Sequence, residues 1–154
     1  MNNILDNQLM AERIESLKAA IIGGLCLMIA FLITTLVNSL VLAKYDEVFS
    51  SLRIDTLSLH SFVSAGIAVF CGLLFGVTYR YIIRSDKNFQ LKAGGVLAFG
   101  LVRGLAQVDV MLCCSSSVLP LVVLAVESIL WFGLAAYALD TAIQFGWIKP
   151  FKIE

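Results

Sequence analysis

Four long apolar stretches separated by short polar connections dominate the pattern along this chain. The first runs from Ala19 to Ala43 without a charged residue. A helix rises about 1.5 Å per residue, so roughly 20 residues cross the ~30 Å hydrocarbon layer of a bilayer. The second stretch runs from about Leu59 to Tyr79, is closed by Arg80 and Arg84, and gives way to Ser85-Asp86-Lys87-Asn88, which reads as a turn. Thr56 or Ser58 is placed to cap its start. The third, Ala93 to about Leu112, contains Arg103, Gln107 and Asp109 as well as glycines at 94, 95, 100 and 104, so its insertion alone is marginal. It either crosses fully or re-enters, and re-entry leaves three spans with the C-terminus on the opposite side. The fourth begins after Ser115-Ser116-Ser117 and Pro120, which look like a serine-capped helix start with proline in the first turn, and runs to about Leu139 with Glu127 inside it.

The flanks are more polar. Residues 1–18 place Ile4, Leu5, Leu9, Met10, Ile14 and Leu17 near one helical face, which predicts a short interfacial helix or a fraying polar tail. Asp6, Glu12 and Glu15 beside Arg13 and Lys18 do not resemble the start of a secretory leader, so Ala19–Ala43 is expected to be a retained span. Beyond Asp140, Gly146 and Pro150 are placed to stop a helix, and Trp147 with the nearby lysines suits a headgroup-level anchor. The expected architecture is therefore all-α, an integral membrane bundle of four transmembrane helices. Residues 1–18 form a polar or interfacial segment, 19–139 the membrane domain and 140–154 an interfacial tail.

Composition agrees with this reading. Hydrophobic residues make up 60% and charged residues 14% of the 154 positions, against about 45–50% and 25% in ordinary globular chains. The formal net charge is zero and no basic stripe is dense enough to track a phosphate backbone, which sets nucleic acid aside. With four spans, Arg13, Lys18, Arg80, Arg84, Lys87, Lys92, Lys149 and Lys152 share one side, and Lys44 and Arg53 occupy the other. The positive-inside rule then puts both termini in the cytoplasm or its stromal equivalent. Cys26, Cys71 and the adjacent Cys113 and Cys114 lack the spacing of a zinc or iron–sulfur site, so no metal is expected.

Arg103 and Glu127 are the candidate functional pair. A charge at the centre of a spanning helix costs about 2.5–3.5 kcal/mol even on a lenient scale, so each is expected to need the other. Counted from Lys92, Arg103 lies about 16 Å deep; counted from Val118 on the other side, Glu127 lies about 14 Å deep, so antiparallel neighbours bring them level. The pair either fixes helix register or forms part of a proton, ion or ligand path, which Gln107 and Asp109 would extend. Gly72 with Gly76 and Gly100 with Gly104 have the G-x-x-x-G spacing that lets helix backbones approach closely, within one chain or between chains. His60, the lone histidine, is an interfacial residue or a ligand for haem or chlorophyll magnesium. Ser115-Ser116-Ser117 lacks the surroundings of a nucleophile.

The segments Phe99-Gly100-Leu101-Val102-Arg103-Gly104-Leu105-Ala106-Gln107-Val108-Asp109 and Ala138-Leu139-Asp140-Thr141-Ala142-Ile143-Gln144-Phe145-Gly146-Trp147-Ile148-Lys149-Pro150-Phe151 resemble a family of small multi-pass membrane proteins of oxygenic photosynthetic cells. That resemblance covers roughly the second half of the chain and brings no established activity or site residues. It implies a thylakoid or plasma membrane location and a tie to pigment–protein complexes. No nucleotide loop, zinc motif or catalytic constellation is visible, so the expected function is non-enzymatic: an accessory, assembly or stabilising factor that packs against other membrane proteins or itself in the bilayer. The alternative is a small oligomeric transporter or channel subunit using Arg103 and Glu127.

Overall fold

The computed structural model describes residues 2–42, 59–83, 88–112 and 118–151. They form four α-helices: α1 Asn2–Val37, α2 Leu59–Ile82, α3 Phe89–Leu112 and α4 Leu119–Gln144, with a π-helical segment, Asn38–Leu42, continuing α1. No strand occurs among the described residues. Each helix is long and apolar enough to cross a bilayer, which makes the chain a multi-pass membrane protein by length and composition.

One boundary differs from expectation. The N-terminal segment is not a separate interfacial helix but the first turns of the 36-residue α1. Nothing between Ala11 and Ala20 breaks a helix, and its alanines, glutamates, leucine and lysine favour one. Helix α3 is uninterrupted over 24 residues, about 36 Å, and shows no break at which a re-entrant segment would turn.

Helix α1 packs mainly on α2 and α3 mainly on α4, with α1 also against α4. Both hairpins are antiparallel, so the two described termini lie at one end of the bundle, here the terminal end. The first hairpin is close-packed through glycine. A Cβ added at Gly23 would fall on the carbonyl oxygen of Gly72, and one at Gly76 on that of Ala19. At Gly72 it would lie 2.8 Å from the Cα of Gly24. In the second hairpin a Cβ at Gly100 would lie 2.8 Å from the Cα of Ile129, and one at Gly104 would lie 3.0 Å from the Cα of Ala125. Small residues permit this approach, and in lipid such contact replaces the hydrophobic drive that water supplies elsewhere.

The bundle centre is filled by rings. Phe75 lies 5.2, 5.3 and 5.1 Å from Tyr79, Phe99 and Phe132, and Trp131 meets Phe31 edge to face at 6.0 Å. These separations are typical of favourable aromatic pairs.

Helix α4 begins at Val118, which provides no side-chain cap, with Pro120 in the first turn; the expected capping serines lie outside the described residues. Its other end closes at Gly146, whose φ of 75° is the left-handed conformation that glycine adopts cheaply. The Gly146 N–H donates to Ile143 O at 3.0 Å and the Trp147 N–H to Ala142 O at 2.9 Å, the paired bonds of a Schellman turn. That turn sends the tail back over α1 and α2 and buries Ile148.

Candidate functional site

Asn38 at the end of α1, Arg103 of α3 and Glu127 with Ser128 of α4 form a polar layer inside the bundle. Arg103 comes from the face of α3 that also carries Gly100 and Gly104, the three residues of that helix that are buried. Its guanidinium carbon lies 4.6 Å from the centre of the Trp131 ring, a cation–π contact. Glu127 is half-buried and accepts a hydrogen bond from Asn38 Nδ2 at 3.4 Å. Asn38 is buried and opens the π-helical segment, a type of irregularity frequent at functional sites.

Arg103 and Glu127 do not form the expected ion pair. The ion pairs among the described residues are Lys18–Glu15, Arg80–Glu12 and Lys92–Asp140. The two backbones are level, as the Gly104–Ala125 contact requires, but the side chains lean apart. Every Cα–Cβ bond tilts toward its own helix N-terminus, so in antiparallel helices two level residues point in opposite directions. Arg103 leans toward the terminal end and reaches Trp131, while Glu127 leans to the far end and meets Asn38.

The layer is under-satisfied. Asn38 Oδ1, Ser39 Oγ, Arg103 Nε, Ser128 Oγ and Trp131 Nε1 are buried and have no hydrogen-bond partner among the described residues. Such atoms are costly in a low-dielectric interior, and the cost is greatest beside an ionisable group. Chemically, the layer can hold a proton on Glu127, orient a cation on Arg103 and donate from Trp131 and Ser128. Gln107 is half-buried one turn beyond Arg103, and Asp109 is exposed. The His60 side chain, Cys113 and Cys114 lie outside the described residues.

A second polar cluster, at the terminal end, escaped the sequence reading. Arg80 was expected only to close a span, yet its side chain is fully buried. Its Nε donates to Lys149 O at 3.0 Å, and its Nη1 to Ser16 Oγ at 2.7 Å and Glu12 O at 3.2 Å. Its Nη2 pairs with the Glu12 carboxylate. The guanidinium lies 5.9 Å from the Tyr81 and Phe151 rings, and the Lys149 N–H donates to Glu15 Oε2 at 2.9 Å. One side chain thus ties α1, α2 and the tail together. The visible signal was Glu12 and Ser16 one turn apart on a helix, a polar ridge aimed at a basic partner. Asp140, near the end of α4, accepts hydrogen bonds from Lys92 Nζ at 2.9 and 3.0 Å.

No family model matches the chain, and no curated protein or solved structure matches it either. What the polar layer and the terminal cluster do must therefore be read from their own residues.

Proposed function

We propose that this chain is a non-enzymatic integral membrane protein that packs against other membrane proteins as an accessory, assembly or stabilising factor. The observation that supports this reading is the filled bundle centre. Phe75, Phe99, Phe132 and Trp131 occupy the axis, and glycine contacts hold each hairpin too close for a conduit between its helices. A groove of about 510 Å³ lies instead on the outer surface, between α1 and α4, lined by Ile22, Tyr137, Thr141, Phe145 and Trp147. The lysine and arginine count supports cytoplasmic or stromal termini, and the resemblance to proteins of photosynthetic cells favours pigment–protein complexes as the partners. Extraction from the native membrane in mild detergent tests the proposal: the chain is expected to travel with a larger membrane complex, and migration as a free monomer or self-oligomer refutes it.

The unpaired Arg103 and Glu127 favour a second reading, an oligomeric transporter or channel subunit whose path forms between copies. Purified protein in liposomes separates the two. Proton or ion flux that is lost in Glu127→Gln supports transport, and silent liposomes support the accessory role.

A further inference from the structure

Trp131 and Glu127 are four residues apart on α4, so they share a face and are separated by about 6 Å along the axis. Arg103 occupies the lower of these two positions, over the Trp131 ring, and Glu127 at the upper position holds, among the described residues, the Asn38 amide. The arginine stem is long and flexible, whereas the backbone around it is fixed by Gly100 and Gly104 against α4. Its head can therefore move one turn without moving a helix. Nε of Arg103 and Oδ1 of Asn38 are both buried and unpartnered, so neither end of this short path is saturated.

We infer that Arg103 is a two-position side chain controlled by Glu127. In the proposed neutral-carboxyl state the guanidinium rests on Trp131, the position it holds here. Loss of the proton breaks the carboxyl O–H bond, passes the proton to water at the far end and leaves a carboxylate. The guanidinium then leaves the ring and forms charge-assisted bonds to Glu127, which are stronger than a cation–π contact in a low-dielectric layer. Reprotonation reverses the move.

Among the described residues, the neighbours leave this exchange as the dominant electrostatic event. From α1, Glu127 faces the uncharged Asn38; from α2, Arg103 faces Cys71; from α4, the layer carries Ser128 and Trp131. The next charged group along α3 is Asp109, six residues and about 9 Å farther out and exposed. This device goes beyond the accessory reading and operates under either proposed function.

Trp131 is its own reporter. The chain has two tryptophans, so Trp147→Phe leaves Trp131 as the single indole. The full-length W147F protein in detergent micelles is expected to show a one-proton change in Trp131 emission with pH. The same scan is expected to be flat in W147F/E127Q, held at the acid-side signal, and flat in W147F/R103Q. Size-exclusion profile and helical circular dichroism verify that each variant is folded, and the two variants remove opposite partners, so failure of one leaves the other decisive. A flat scan in W147F overturns the inference, as does a transition that persists in either double variant. These outcomes do not depend on whether a partner complex is found.

Discussion

Replacing Gly76 with alanine adds one methyl group where the two backbones of the first hairpin meet. The new Cβ would fall on the Ala19 carbonyl oxygen and lie 2.7 Å from the Ala19 carbonyl carbon and 3.0 Å from the Ala20 Cα. Ordinary contact begins at 3.4 Å, so clearing the Ala19 carbonyl oxygen requires α1 and α2 to separate by more than about 1 Å. Backbone atoms cannot rotate away as a side chain can. A gap of that size forfeits about half or more of the attraction at each flanking contact, including those of Gly23 and Gly72. Overpacking usually costs 1–3 kcal/mol, and a backbone-on-backbone clash belongs near ~3 kcal/mol. Gly133→Ala is the control, because a Cβ there meets nothing within 4 Å. Both changes gain the same helix propensity, about 0.8–1 kcal/mol, which cancels in the comparison. The two variants should therefore differ on the order of a hundredfold in unfolding equilibrium. Unfolding in mixed detergent followed by circular dichroism measures this, and the reasoning fails if Gly76→Ala is as stable as Gly133→Ala.

The terminal cluster and the helix end make further tests. Arg80→Met removes the buried tie between α1, α2 and the tail and is expected to cost about 2–3 kcal/mol, less than a fully buried pair because Glu12 is 40% exposed. Hydrogen exchange should show residues 147–151 losing protection, and unchanged protection counts against the clamp. Lys92→Ala breaks a pair whose side chains are 25% and 28% exposed, so the midpoint should fall by less than about 1 kcal/mol equivalent in the same detergent titration. Gly146→Ala forces a side chain into the left-handed region at about 1–2 kcal/mol and should loosen the tail without altering the glycine contacts of α1 and α2, read by exchange at both places.

The sequence by itself determined the elements, since hydropathy and helix rise are local quantities. The uncharged run from Ala19, the stretch beginning at Leu59, the glycine stop at Gly146 and the span carrying Glu127 all follow from solvent and backbone, and the helices stand there. The level of Arg103 against Glu127 was legible for the same reason. Who meets whom was not, because it depends on rotation about each helix axis and on the direction each side chain leans. Those vectors gave Trp131 to Arg103 and Asn38 to Glu127, although counting residues favoured the pair itself. Arg80 shows the same limit over a longer distance. Its partners Glu12, Ser16 and Lys149 lie more than sixty residues away along the chain, and only the packing of α1 on α2 and the turn at Gly146 bring them to one guanidinium. Lipid decides where a chain crosses, and close contact between helices decides which of its few buried charges find partners.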